Sequence, residues 1–106
     1  MKSDVQEQLA RLVEVIVAEV SPLRIVLFGS AARGEMTGSS DLDLLVVMPD
    51  GSPRRETAKL LYGRIRGVRV PFDIVVATPC DLERYGSSPG LIYREILREG
   101  RELYAA

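Results

Sequence analysis

The 106-residue sequence contains no histidine and no tryptophan, and Cys80 is its one cysteine. A single cysteine excludes an internal disulfide, and without histidine or a second cysteine there is no ligand set for a structural zinc ion. No apolar run approaches the ~20 residues of a membrane span, and the segment from Met1 to Glu7 carries acid where a signal peptide would be apolar. These absences predict a cytoplasmic chain that does not enter a membrane.

An excess of charge of either sign is also missing. Fourteen basic residues stand against fifteen acidic ones, which gives a formal net charge of −1. A nonspecific nucleic-acid binder has a broad positive surface, so we expect no direct nucleic-acid binding. A chain of this length buries roughly 60–70% of its unfolded surface, which is enough for one domain over residues 1–106.

The hydrophobic pattern changes period along the chain. Apolar residues recur at helical spacing up to Val20, after a capping-box pattern at Ser3 and Gln6. Short apolar runs rich in β-branched residues then predict three strands, at residues 23–28, 41–48 and 69–77, with a short fourth strand near Leu103. Ser-Pro and Thr-Pro pairs mark helix starts at residues 52–53, 78–79 and 88–89, and Gly100 is expected to end the last helix. The order predicts an α/β (α+β) fold, in which helices cover a small mixed sheet.

Gly29 and Ser30 directly follow the apolar run that ends at Phe28. Glycine lets the backbone turn sharply and approach a ligand with no Cβ in the way, and Ser30 adds a hydroxyl and an N–H where Ala31 begins a possible short helix. Free N–H groups at such a position attract phosphate. Arginine binds phosphate through paired hydrogen bonds, so we expect Arg33 to contact it as well.

Asp41 and Asp43 open the second predicted strand, although aspartate is rare in strands. Because side chains alternate along a strand, both carboxylates lie on one face, roughly 6.5–7 Å apart along the chain. Asp73 interrupts the third apolar run, where a buried carboxylate needs a partner. Mg²⁺ prefers hard oxygen ligands and commonly combines one or two carboxylates with substrate phosphates. The three aspartates therefore predict a magnesium site beside a phosphate loop.

Each feature also has an ordinary structural explanation. A Gly-Ser pair is most often a turn, Asp41 could be a turn residue, and Asp73 could pair with an arginine. Arg33 could form a surface ion pair. The basic face of the helix after Pro53 is either solvated or meets an acidic partner or a nucleotide. The combination of a glycine turn, two same-face aspartates and a third aspartate on successive strands favours the functional interpretation.

The residues from Gly29 to Glu35 and from Ser40 to Leu44 resemble the signature of the DNA polymerase β-like nucleotidyltransferase superfamily. The Ala-Arg-Gly at 32–34 resembles its minimal nucleotidyltransferase (MNT) branch, and the resemblance covers most of the chain. It implies the polymerase β-like nucleotidyltransferase fold, with Asp41 and Asp43 binding two Mg²⁺ ions. It also implies that Asp73 is a third ligand that helps to deprotonate the attacking hydroxyl, and that Gly29 and Ser30 hold the triphosphate of ATP.

The resemblance further implies a partner. In the MNT branch this is a small helical toxin of the HEPN type, and the nucleotidyltransferase acts as its antitoxin. The implied activity is Mg²⁺-dependent transfer of AMP from ATP to a tyrosine hydroxyl of that toxin, within a hetero-oligomer. Three alternatives stay open: nucleotidyl transfer to a small molecule such as an aminoglycoside, a binding module that neutralises its partner sterically, and a scaffold that has lost catalysis.

Overall fold

The computed structural model describes residues 2–29, 41–85, 96 and 98–106. Helices and strands follow one another in the predicted order. The elements are α1 (Lys2–Val20), β1 (Arg24–Phe28), β2 (Leu42–Val47), α2 (Arg54–Arg64), β3 (Phe72–Ala77), α3 (Pro79–Tyr85) and β4 (Arg101–Ala105). None of the helices in these described ranges is long and apolar enough to cross a bilayer.

The four strands form one mixed sheet in the order β3-β2-β1-β4, which confirms the predicted fold class. β1 pairs antiparallel with both β2 and β4, whereas β2 and β3 run parallel and are joined through α2. The β1–β4 ladder shifts register between Ile25 and Val26. The order leaves β3 and β4 at the two edges of the sheet and places β2 between β1 and β3.

The apolar pattern of the sequence is divided between the two faces of the sheet. One face packs against α1 and α2 through a large cluster that includes Leu12, Ile16, Leu44 and Leu61. The other face carries a smaller cluster in which Leu45 and Val47 contact α3 and Ile96. Because successive strand residues alternate between faces, β2 is apolar on both sides in its second half, as expected of an inner strand.

Several predicted boundaries are wrong by a few residues. α1 already includes Ser3, so the predicted cap at that position is incorrect. Ser52 donates its hydroxyl to the carbonyl of Pro49 rather than capping α2, whose N-cap is Pro53. β3 begins only at Phe72, because the N–H of Arg69 donates to the side chain of Gln8 instead of to a strand.

The C-terminal part agrees with the pattern where it is described. The predicted helix from Ser88 lies mostly outside the described residues, but Ile96 is helical and accepts a hydrogen bond of 2.8 Å from the N–H of Gly100. A Cβ on Gly100 would overlap the Ile96 carbonyl and a methyl group of Val26. Gly100 therefore ends this helix where only a glycine fits against β1.

A capping box begins α3, as the Thr-Pro pattern predicts. The N–H and the hydroxyl of Thr78 both donate to Asp81 at 3.0 Å, and the Asp81 N–H donates back to the Thr78 hydroxyl at 3.3 Å. Asp81 also forms an ion pair with Arg54 of α2 at 3.0 Å, and the N–H of Cys80 donates to Asp50 at 2.9 Å. These bonds attach α3 to the end of β3 and to α2.

We expect Asp81→Asn to lower the free energy of unfolding by about 1 kcal/mol at neutral pH, as for other lost caps. Burial acts to raise the pKa of Asp81, but hydrogen bonds from Thr78 and the charge of Arg54 outweigh it, so the pKa lies below its usual value. The stabilisation from this carboxylate is therefore present at pH values above its unfolded-state pKa of 3.8, and it is lost as the pH falls through its lower folded-state pKa.

Denaturant unfolding at several pH values tests this dependence. The difference between wild type and Asp81→Asn should shrink as the medium becomes more acidic. Glu83→Gln is the control, because it removes an exposed acid from the same helix without touching the cap. A difference that stays constant with pH would contradict the proposed role of the charge.

Candidate active site

Asp43 and Asp73 lie side by side on neighbouring strands. In the parallel β2–β3 ladder Asp43 is paired with Asp73, and across the β1–β2 ladder Asp43 is opposite Phe28. Paired Cα atoms on adjacent strands are about 4.8 Å apart, and in register they present their side chains to the same face. Both carboxylates thus share the face that carries Leu45 and Val75, opposite the face covered by α1 and α2.

Asp41 lies immediately before β2, two residues from Asp43 and therefore on the same side of the extended chain. The N–H of Leu42 donates to the carbonyl of Pro71 at 2.9 Å, which continues the contact between the two chain segments just outside the ladder. Asp41 and Asp73 are exposed, whereas Asp43 is half-buried. The structure therefore brings the three aspartates to one end of the β2–β3 pair.

The electrostatics of Asp43 show that the three charges interact. Burial raises the pKa of the Asp43 carboxyl above its usual value, and the negative charges of Asp73 and Asp41 raise it further. A raised pKa means that the ionised form is disfavoured by its surroundings. The site is consequently a place where positive charge would be bound favourably.

Gly29 forms the wall of this site beside Asp43. Its φ of +77° lies in the left-handed region that glycine adopts readily. A Cβ at this position would lie 2.5 Å from Oδ2 of Asp43, so the carboxylate rests directly against the glycine backbone. The turn after β1 thus comes as close to the carboxylates as the sequence predicted.

The donor set fits Mg²⁺, because carboxylate oxygens are the ligands that this ion prefers and the mutual repulsion at Asp43 would be relieved by it. Within the part of the chain that is described, however, no three Asp, Glu, Cys or His side chains are grouped closely enough to hold a metal ion. The assignment of Asp41, Asp43 and Asp73 as a complete ligand set therefore stays a prediction. Ser30 and Arg33 lie outside the described residues.

The alternative partners of the predicted site residues can be checked in part. Glu102, Asp81 and Glu19 each form an ion pair with a described arginine, and none of these pairs involves Asp73. On the basic face of α2, Arg54 forms an ion pair with Asp81, and Arg64 lies 3.9 Å from Glu19. Part of that face therefore serves contacts within the domain.

Two residues that the sequence analysis missed hold the segment that leads into β3. Buried Gln8 accepts a hydrogen bond of 2.8 Å from the N–H of Arg69. Arg11 donates through Nε to the carbonyl of Arg66 at 2.8 Å and lies against Gly67, which has a φ of +79°. Both are polar residues of an amphipathic helix, where polarity normally indicates solvent exposure, so no sequence pattern predicts these contacts.

An α/β domain with carboxylates on two adjacent strands beside a glycine turn is the arrangement expected of enzymes that handle phosphates with metal ions. The family model of the nucleotidyltransferase domain matches residues 9–103, and the chain belongs to that family. This span contains Gly29 and all three aspartates.

Solved structures agree with this assignment at the level of the fold. A toxin-antitoxin structure with AMP-PNP is 21% identical, with a TM-score of 0.61 over 92% of this chain and 73% of that chain. A Sulfolobus solfataricus protein proposed to be a nucleotidyltransferase is 22% identical, with a TM-score of 0.60 over 99% of this chain and 89% of that chain. Comparison with curated proteins finds no significant match.

Proposed function

We propose that this chain transfers AMP from ATP to a tyrosine hydroxyl of a HEPN-type toxin and acts as its antitoxin. The observation that carries the proposal is the in-register pair Asp43 and Asp73 at one end of the β2–β3 ladder, with Asp43 lying against Gly29. Nucleotidyl transfer depends on positioning and on neutralising phosphate charge more than on covalent participation by the protein. A chain without histidine can supply both requirements.

Each residue has a distinct role in the proposed reaction. The N–H groups of Gly29 and Ser30 bind the triphosphate, and Arg33 also contacts it. Asp41 and Asp43 would hold Mg²⁺, with Asp73 as a further ligand. When bound, Mg²⁺ would neutralise charge on the phosphates and orient them.

Asp73 has a second role at the acceptor side. It lies on an edge strand and is exposed, so an acceptor hydroxyl can reach it. Asp73 accepts a hydrogen bond from that hydroxyl and helps to remove its proton. The hydroxyl oxygen forms a bond to the α-phosphorus, the bond to the β-phosphate oxygen breaks, and pyrophosphate leaves.

A protein acceptor is supported by the position of Asp73, which is exposed on the edge strand β3 where a large partner can reach it. One of the structures with this fold is a toxin-antitoxin with AMP-PNP. A separate protein surface beside Asp73 would supply both the acceptor and its orientation.

Label transfer from α-labelled ATP tests the proposal directly. The complex of this chain with the toxin purified with it should become labelled in the toxin, in a Mg²⁺-dependent manner, and the label should map to a tyrosine. The control is the same complex with the double variant Asp41→Asn and Asp43→Asn, which should transfer no label. Absence of label from the pure wild-type complex would refute the proposal.

A second function, steric neutralisation without catalysis, is also favoured by the toxin-antitoxin structure of the same fold, because neutralising a partner by binding needs no catalysis. The same double variant separates the two functions. Toxin neutralisation that survives unchanged when both carboxylates are replaced would support the steric module. Neutralisation that is lost together with label transfer would support catalysis.

A further inference from the structure

The strand that carries Asp73 has less backbone support than the strand that carries Asp43, because β3 is an edge strand of the described sheet and β2 is an inner strand. An edge strand has a ladder on one side only, and its other N–H and C=O groups need different partners. The position of the Asp73 carboxylate therefore depends on whatever holds the outer edge of β3.

Tyr62 of α2 makes two contacts to β3, one on each side of Asp73. Its ring stacks on Phe72, with centroids 5.7 Å apart and planes inclined by 13°. Its hydroxyl accepts a hydrogen bond of 2.8 Å from the N–H of Ile74. Phe72 and Ile74 are the two chain neighbours of Asp73, so one side chain fixes the backbone both before and after the carboxylate.

The exposure of Tyr62 argues against a simple packing role. The residue is 44% exposed, so it is one of the large hydrophobic side chains that this domain leaves at its surface. A tyrosine whose main contribution was burial would lie deeper in the core. Its contacts to β3 are instead directional, a ring stack and a hydrogen bond to a strand N–H that β2 does not use.

We propose that Tyr62 is a positioning residue for Asp73, acting from the opposite face of the sheet. Phe72 and Ile74 contact the cluster beneath α1 and α2, whereas Asp73 shares the other face with Asp43. Tyr62 therefore does not touch the reacting atoms. This inference rests on the proposed function for its catalytic consequence, but the contacts themselves do not depend on it.

Tyr62→Phe removes the hydroxyl and keeps the ring that stacks on Phe72. We expect kcat for AMP transfer to fall roughly 10- to 100-fold with little change in KM for ATP, because small displacements of a reacting group have effects of this size. KM for ATP should stay the same because Gly29, in the turn after β1, and Asp43, on β2, keep their positions. Amide exchange at Ile74 should become roughly five- to tenfold faster, as for the loss of one hydrogen bond.

Tyr104→Phe is the matched control, since it makes the same chemical change on β4 at the other edge of the sheet. It should leave kcat and the exchange rate of Ile74 unchanged. A Tyr62→Phe variant that loses thermal stability but keeps the wild-type kcat would overturn the inference and leave Tyr62 a structural residue.

The two measurements, kcat for AMP transfer and amide exchange at Ile74, also separate this inference from the proposed function. Hydrogen exchange needs no activity, so an unchanged rate at Ile74 in Tyr62→Phe would overturn the role of Tyr62 whether or not the wild type transfers AMP. A wild type that transfers no AMP would remove the catalytic consequence together with the proposed function. Faster exchange at Ile74 in that case would support the contact to β3.

Discussion

Replacing Asp43 by Asn is expected to reduce AMP transfer roughly 1,000-fold, the size of effect seen when one preorganised charge-stabilising group is lost. Asp43 is central to the site, because it pairs with Asp73 across the ladder and rests on Gly29. Its replacement removes one of the two carboxylates proposed to hold Mg²⁺. Label transfer to the toxin, measured at saturating Mg²⁺ and ATP, gives the rate.

The same variant should be more stable than the wild type when metal is removed by EDTA. Burial and the charges of Asp73 and Asp41 raise the pKa of Asp43 in the folded state above the ordinary value of 3.8. The folded state therefore holds the Asp43 proton more tightly than the unfolded state does. The free energy of unfolding consequently falls as the pH rises from 3.8 through the folded-state pKa of Asp43. At neutral pH the ionised carboxylate opposes folding, and Asn removes that effect.

A gain of about 1 kcal/mol at neutral pH, the ordinary size of a single-residue effect, is expected in denaturant unfolding. Asp41→Asn is the comparison, because Asp41 is exposed. This variant should also lower activity, but with a smaller change in the free energy of unfolding. Glu83→Gln, away from the site, should change neither quantity. An Asp43→Asn protein that is less stable than the wild type in EDTA would show that the carboxylate is not under electrostatic strain.

Gly29→Ala is expected to lower AMP transfer roughly 100-fold through displacement of Asp43. The new Cβ would lie 2.5 Å from Oδ2 of Asp43, so the carboxylate must move from its position beside Asp73. The φ of +77° adds a stability loss of roughly 1–2 kcal/mol, because an L-residue is strained in the left-handed region.

Gly51→Ala is a matched control for this prediction. Gly51 has a φ of +90°, but a Cβ there would meet nothing within 4 Å. Both alanine variants should therefore lose the stability that the positive φ costs, and Gly29→Ala alone should also lose activity. Equal activities in the two variants would show that the contact between Gly29 and Asp43 does not matter to the reaction.

Much of the site could be predicted because its signals are local. A glycine directly after an apolar run predicts the turn at Gly29, and the period of two places Asp41 and Asp43 on one side. The contact between Asp43 and Asp73 is different, since thirty residues separate them. It depends on β3 pairing with β2 in parallel and in register. The alternation within β3 assigns each side chain to a face, but it does not identify the partner strand or exclude a shift of two residues.

The residues that support the site gave no comparable signal. Gln8 and Tyr62 lie at helix positions that look exposed in the sequence, yet Gln8 is buried and Tyr62 bonds to β3. Long-range contacts of single polar groups follow from the final geometry and not from propensity or periodicity. The boundary error at Arg69 has the same origin, because its N–H donates to Gln8 of α1 instead of to a strand. At Ser52 the cause is local, since a turn to the carbonyl of Pro49 uses the hydroxyl that the pattern assigned to a cap.

The placement of Asp73 at the rim of the sheet has a consequence for the size of acceptor that the proposed reaction can use. Among the described strands none lies beyond β3, and Asp73 is exposed, so a bulky acceptor can approach the carboxylate from the side. Selectivity would then come from the surface of the incoming protein, and a change of target would require new contacts at this rim while the nucleotide end stays the same.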